Sequence, residues 1–298
     1  MSTDPTSFRF SHRLRVRWAE VDMQKIVFNA HYLMYVDTAI SDYWRALAMP
    51  YAAAMELLGG DLYVKKASLN YHGSARFDDV IDVALRCERI GNSSVTFAGL
   101  ISRGGAPLVS AELIYVFADP ATQTSRPVPP LLRQMLQAYE TGESAVHVQI
   151  GSWQQLEAQA AGIRQDVFVK ELGVAAELEW DLADLTALHA VATNALGQRV
   201  GTARLWRRGH GVSEISRLAV VRSLRGAGFG QQLLAALEQA ALARGDVEVV
   251  VKVPRHSQGL YAQRAYRLLG PSLDGVDHSH VEMVKPLTVP VASTASCE

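Results

Sequence analysis

Cysteine is nearly absent from this 298-residue chain: Cys87 and Cys297 are the whole complement, and no CxxC pair occurs. That excludes a disulfide framework and the usual spacing of a zinc site, so chemistry without a metal is expected. Charge of one sign is missing too, since 29 basic and 30 acidic residues leave a formal net charge of −1. Such a balance gives no bulk attraction to nucleic acid or to an anionic membrane, and neither is expected as a partner. No apolar run approaches membrane-spanning length, and the opening MSTDPTSFRF lacks a signal-like apolar core. The cytoplasm is the expected compartment. No internal repeat and no sustained heptad pattern are found.

The length is about twice what a single core usually organises, so two domains are expected. The small polar stretch Thr141-Gly142-Glu143-Ser144 is the preferred boundary, giving domains 1–142 and 143–298. In the first half, Phe8 to Trp18 alternates basic residues with Phe10, Leu14 and Val16 and reads as a strand. Val36, Ala39, Ile40, Tyr43 and Leu47 fall at helical spacing over Ala30 to Ala48, and Pro50 stops that helix. Ile81, Val83, Leu85 and Cys87 alternate with polar residues; Ser94–Ile101 and Leu108–Ala118 follow after glycine turns, which gives an antiparallel meander. Leu131 to Glu140 reads as a short helix. One long helix with a run of strands is an α+β pattern.

The second half has another texture. A helical stretch opens at Ser152 and continues to about Val169. Strands are expected at Ala187–Thr193, Val200–Trp206, Ser213–Val221 and Val247–Val253, with a helix from Gly228 to Arg244. Between the third strand and that helix lies Arg225-Gly226-Ala227-Gly228-Phe229-Gly230. A strand, a glycine-rich turn and a helix start together suit a pyrophosphate: glycines permit close backbone approach, and the first helical N–H groups point outward without partners. There is no GK[ST] ending and no acidic residue placed for a dinucleotide ribose.

This stretch resembles motif A of the GNAT acetyltransferases, [QR]xxGx[GA], matched by Arg225, Gly228 and Gly230. The likeness, to the ElaA-like branch, runs from about Gln149 to Leu287 and includes Ile163–Val169, Glu177–Asp181, Val200–Leu205 and His280–Met283. It implies an α/β domain with a mixed sheet that takes acetyl-CoA, or another acyl-CoA, as donor to an amine. Backbone groups of Leu218, Ala219 and Val220 would meet the pantetheine arm, and Arg225, Gly226, Ala227, Gly228, Phe229 and Gly230 would hold the pyrophosphate. Tyr261 stands where relatives place the acid that protonates the departing thiolate. Relatives carry Gly-Phe where this chain has Ala265-Tyr266. Glu214, beside the cofactor strand, is either the base for the amine or a solvated strand charge. His189 and His280 lie in family-like segments, where a lone histidine is more often structural.

In the first half, Arg17 to Tyr32 contains Glu20, Asp22 and Ile26-Val27-Phe28-Asn29-Ala30-His31-Tyr32. It resembles the active-site loop of the 4-hydroxybenzoyl-CoA thioesterase type of hot-dog protein, including YbgC-like enzymes, and the likeness spans about Phe8 to Tyr139. It implies an antiparallel sheet wrapped around one long helix, homodimerisation, and thioester hydrolysis with Asp22 as nucleophile or base. Helix-start N–H groups would polarise the carbonyl. Glu20 is the reserve carboxylate. Relatives have glycine at Lys25, histidine in some cases at Asn29, and tyrosine at Trp18. Asp78-Asp79 reads as a turn, with the site as the alternative.

The chain is thus expected to be a bifunctional acyl-CoA enzyme. The alternative keeps the acetyltransferase and makes the hot-dog half a non-catalytic acyl-CoA-binding and dimerisation module. A further alternative makes the GNAT half a CoA sensor.

Overall fold

The computed structural model describes residues 4–270 and 279–287; Cys297 lies outside them. The chain divides into two compact units, Met1–Val146 with Asn194–Leu196, and His147–Thr193 with Gly197–Glu298.

The first unit is α+β. Strands β1 (Phe10–Arg15), β2 (Asp61–Tyr71), β3 (Val80–Ile90), β4 (Ser94–Arg103) and β5 (Ala106–Ala118) form one sheet in the order β1-β3-β4-β5-β2. All its pairings are antiparallel. Helix α1 (Asn29–Ala46) lies in the sheet's concave core and buries Tyr32, Tyr35, Val36, Ala39, Ile40, Tyr43 and Trp44. The core is aromatic: Tyr43 meets the edges of Phe10, Trp44, Phe97 and Tyr139 at centroid separations of 5.3–5.7 Å, the range of favourable edge-to-face contact. This is the hot-dog arrangement that the sequence predicts.

Two elements depart from expectation. The long helix stops at Ala46, ahead of the expected Ala48, which turns the chain at φ +56°. Pro50 sits at the N-cap of a second helix, α2 (Tyr51–Leu58), where a missing N–H costs nothing. Strand β2 escapes the sequence pattern because a bulge between Val64 and Lys66 shifts its register. Leu62 points into the core before the bulge, whereas Leu69 packs against the core after it. Even positions therefore face inward at one end and odd positions at the other, which cancels the period-2 signal. Helix α3 (Pro130–Glu140) is tied beneath the sheet through Glu140, which accepts from the Tyr43 hydroxyl at 2.5 Å and the Cys87 N–H at 2.8 Å.

The second unit carries a seven-stranded mixed sheet: β6 (Val146–Gly151), β7 (Leu188–Asn194), β8 (Arg199–Gly209), β9 (Val212–Val220), β10 (Glu248–Pro254), β11 (Arg267–Leu268) and β12 (His280–Pro286). Its order is β11-β12-β10-β9-β8-β7-β6, with β9 and β10 parallel. Helices α4 (Trp153–Arg164), α5 (Ala176–Glu179), α6 (Phe229–Ala243) and α7 (Gln258–Ala262) complete it. The helix expected to reach Val169 changes type: α4 ends at Arg164 and a π-helical segment continues over Gln165–Glu171. The β-branched run in β10 buries Val249, Val250 and Val251, as a central strand requires. Among the described residues no helix is long and apolar enough to cross a membrane.

Lys25 and Ala265, both standing where relatives have glycine, hold left-handed backbone at φ +63° and +65°. The glycine conformation is kept and a side chain is accommodated at a steric cost. Ala265→Gly is expected to raise the denaturation free energy of the second unit by about 0.5–1 kcal/mol, and Lys25→Gly that of the first by a similar amount. Urea titrations of both variants check this.

Candidate functional site

In the first unit, the site is built on the segment linking β1 to α1. A 3₁₀ turn over Trp18–Glu20 leads into a tight loop closed by an isolated bridge between Val21 and Val27. The Asp22 N–H donates to the Ile26 carbonyl at 2.9 Å, the Lys25 N–H donates to the Asp22 carbonyl at 2.9 Å, and the Gln24 N–H donates to Asp22 Oδ1 at 2.8 Å. One carboxylate oxygen therefore shapes the turn, and Oδ2 is not used by it. The loop then returns to the fold, with the Val27 N–H on the Ala75 carbonyl and the Phe28 N–H on the Glu20 carbonyl. No side chain caps the start of α1, and first-turn N–H groups lack intrahelical partners. A half-exposed carboxylate stands one short loop ahead of an open, electropositive helix start.

Glu20 has a different role. It is 3% exposed and accepts from the Arg17 N–H, the Arg17 guanidinium and the Tyr35 hydroxyl, each at 2.7 Å. Burial alone would raise its carboxyl, but these hydrogen bonds outweigh that and hold it below the usual range. All of its capacity goes into fixing the entry to α1. Asp79 accepts from the Arg76 N–H and pairs with Arg103, while Asp78 pairs with Arg15 at φ +70°. These contacts are those of a turn.

In the second unit, β9 and β10 run side by side only from Val212↔Glu248 to Ile215↔Val251. Beyond that point β10 stays with β12, and the described residues give 216–220 no ladder partner on the β10 side. A bulge at Arg217, φ +52°, marks the parting: on β8 the register jumps from Arg204↔Ser216 to Thr202↔Ala219. Leu218, Ala219 and Val220 thus form a strand edge that β10 leaves, where the Val220 carbonyl accepts from the Arg225 side chain.

This edge leads through a 3₁₀ turn, Arg222–Leu224, into the glycine turn. Gly226 and Gly228 hold φ +86° and +87°, and a Cβ there would meet nothing within 4 Å, so backbone conformation alone demands glycine. Gly230 is different. Its φ is negative, and an added Cβ would lie in ordinary contact, 3.7 Å from Val220 and 4.0 Å from Leu218. The fold would accept alanine, and glycine inside a helix costs about 1 kcal/mol. Packing at the α6 N-terminus therefore does not itself require glycine at this position. No side chain caps that end. Phe229 is buried in the core, so only its backbone faces the turn.

Two tyrosines follow α6 in space, and their surroundings separate them. Tyr266 donates to Glu238 at 3.0 Å inside an ion cluster with Arg264 and Lys285. Tyr261, 7% exposed, has no hydrogen-bond partner for its hydroxyl among the described residues, and burial pushes the phenol up to about 12. Glu214 lies one residue before β9 and β10 part, and Arg208 donates to it at 2.7 Å and to Glu282 at 2.9 Å. His189 is a core residue whose Nε2 lies 3.0 Å from the Asp184 carbonyl, and His280 opens β12 beside Ser279.

One feature gave no local signal. Arg164, 1% exposed, donates to Glu179 at 2.6 Å and to both oxygens of Asp184, and lies against Trp153 and Trp180. Arg204 links Asp184 to Asp181, and Arg217 at the bulge donates to the carbonyls of Leu178 and Glu179. The α5 region is bound by charge to the bulge of β9.

The two folds with these loops define a chain of two enzyme-family domains. Residues 24–110 match the thioesterase superfamily and residues 153–287 the acetyltransferase (GNAT) domain. An uncharacterized N-acetyltransferase of Bacillus subtilis, YjcF, is 32% identical over 126 residues, 41% of this chain and 87% of that protein. The chain belongs to the GNAT family through its second half and carries a hot-dog domain of the thioesterase superfamily in its first. A candidate esterase of Aquifex aeolicus is 29% identical over 92 residues, 31% of this chain and 71% of that protein. The crystal structure of a candidate N-acetyltransferase from Lactobacillus plantarum is 28% identical and covers 48% of this chain and 99% of its own, with a TM-score of 0.45.

Proposed function

We propose that the chain is a bifunctional acyl-CoA enzyme, with domains meeting within 141–144, that hydrolyses thioesters in its hot-dog half and transfers an acetyl group to an amine in its GNAT half. The observation that supports the transferase most directly is that the strand edge at Leu218–Val220, which β10 leaves, runs into a turn whose Gly226 and Gly228 hold left-handed backbone just ahead of the uncapped start of α6. A pantetheine arm suits the first and a pyrophosphate the second. The amine nitrogen attacks the thioester carbonyl, Glu214 accepts its proton directly or through water, and the Tyr261 hydroxyl protonates the leaving sulfur. A phenol raised by burial stays protonated until that sulfur needs it.

For the hydrolase, the supporting observation is Lys25. With φ +63° it preserves the glycine path of the loop, so the departure at this position leaves Asp22 ahead of the open helix start. Asp22 attacks the thioester or activates water there, and the α1 N–H groups stabilise the oxyanion. We further read β2 as the joint of a homodimer, because it is an edge strand, paired with β5 on one side, with Tyr63, Val64 and Tyr71 exposed. Sedimentation velocity is expected to give at least twice the chain mass.

The test is free-thiol release from a panel of acyl-CoAs, with and without added amines. Release without amine supports the hydrolase and names its acyl group. Release that depends on the amine supports the transferase, and its absence with every amine would leave that half a CoA sensor. Tyr261→Phe is expected to lower kcat of amine-dependent release about 100-fold with little change in KM for acetyl-CoA. Tyr266→Phe, whose hydroxyl serves Glu238, should leave kcat near the parent value.

A further inference from the structure

Arg225, the cation of the glycine turn, is not waiting with an empty fork. Its Nη1 and Nη2 donate to Glu171 Oε1 and Oε2 at 2.6 and 2.7 Å, and its Nε donates to the Val220 carbonyl at 3.0 Å. A bidentate carboxylate thus occupies the face of the guanidinium best shaped for a phosphate. Glu171 is the last residue of the π-helical segment, and such segments are rare and concentrated at functional places. The segment is anchored at its middle: Val167 is buried in the core cluster that contains Ala219 of the cofactor strand, and Phe168 packs on it. Beyond Glu171 the chain turns through the bonds Leu172 N–H to Val167, Gly173 N–H to Val169 and Val174 N–H to Phe168. It then enters α5, which the bulge residue Arg217 holds.

Resting on the reading of this turn as a pyrophosphate site, we propose that Glu171 is a further residue of that site, a carboxylate that holds Arg225 until a diphosphate displaces it. A carboxylate and a diphosphate cannot share one fork, and beside the same cation they repel. Binding therefore transfers Arg225 from Glu171 to the ligand and frees the 171–174 turn, while Val167 and Phe168 stay in the core. Glu171 also sets a threshold: an anion must outcompete an intramolecular carboxylate, which favours the diphosphate of CoA over singly charged ligands. Cofactor binding and the looseness of the segment leading to α5 become one event.

The experiment is hydrogen-exchange mass spectrometry on the full chain with free CoA as the probe, following peptides 226–234 and 167–174 separately. These local readouts are not confused by CoA bound to the hot-dog half. In the parent protein, CoA is expected to slow exchange over 226–234 and to speed it about 3-fold or more over 167–174. In Glu171→Gln the second peptide should exchange fast without ligand, and the CoA concentration that half-protects 226–234 should fall about 5-fold. Slowed or unchanged exchange over 167–174 in the parent, or a weaker affinity in Glu171→Gln, would show that Glu171 merely orients Arg225. Both results overturn the proposal while leaving the pyrophosphate site intact. Absence of protection over 226–234 would instead overturn that site and the displacement with it.

Discussion

Replacing Arg164 by alanine is expected to lower the unfolding free energy of the second unit by about 3–5 kcal/mol, the usual consequence of removing one partner from a buried ionic network. Its guanidinium holds Glu179 and Asp184, both nearly inaccessible, and lies against Trp153 and Trp180 at 5.2 and 4.6 Å. Without it Glu179 keeps the Arg217 guanidinium, and Asp184 keeps Arg204 and a long bond from the Asp181 N–H. Urea unfolding followed by tryptophan emission checks this, since two indoles report on the site itself. A loss under about 1 kcal/mol would mean that water enters and solvates the carboxylates. Arg164→Lys keeps the charge but loses the planar fork, and should fall between the two.

The same network fixes the acid response of this unit. Burial alone would raise Asp184, but bonds from Arg164 and Arg204 hold it below its ordinary 3.8; Asp181 is lowered similarly through Arg204. Burial also lowers His189 below its ordinary 6.5. In each case the unfolded chain takes up the proton first, so acid favours unfolding. Stability should decline from about pH 6.5 as His189 charges in the unfolded state, then further below pH 3.8 as the aspartates do. It is fully present above that window. Arg164→Ala should flatten the lower part of the profile.

Asp22→Asn is expected to reduce thioester hydrolysis by about 10²–10⁴-fold, the range for loss of a positioned base. Asparagine is the informative replacement because its side-chain oxygen can still accept from the Gln24 N–H, as Asp22 Oδ1 does at 2.8 Å. The turn is kept and only the negative charge is lost. The fall should appear in kcat, with KM for the acyl-CoA altered little. Glu20→Gln is the companion control: it weakens bonds to Arg17 and Tyr35 inside the fold, so it should lower stability more than chemistry. If Asp22→Asn keeps the parent rate, the hot-dog half is not using this carboxylate.

Much of this was legible in the residues because the signals are local. The turn ahead of α6 needs glycine at φ +86° and +87° within three positions, and no distant contact alters that requirement. Strands β3, β4 and β5 are joined by short turns and are rich in apolar residues, which marked them as strands, although β4 is buried without alternation and its pairings carry bulges at Cys87/Arg89 and Ile101/Ser102. Strand β2 was not legible, since its bulge inverts which face is apolar.

The sequence by itself determined two domains, their fold classes and the two loops that define them, because backbone conformation and periodicity are set by neighbours along the chain. By resemblance it placed Asp22 ahead of Glu20 and chose Tyr261, but it could not show what surrounds either carboxylate, or Tyr261 and Tyr266. Their roles depend on what stands opposite each group: Tyr35 and Arg17 on Glu20, Glu238 on Tyr266, and no described partner on Tyr261. Only the tertiary structure brought Arg164 to Asp184 and Glu171 to Arg225, the latter 54 residues apart. A charge in the sequence has no direction until folding removes the water around it and leaves one partner within reach.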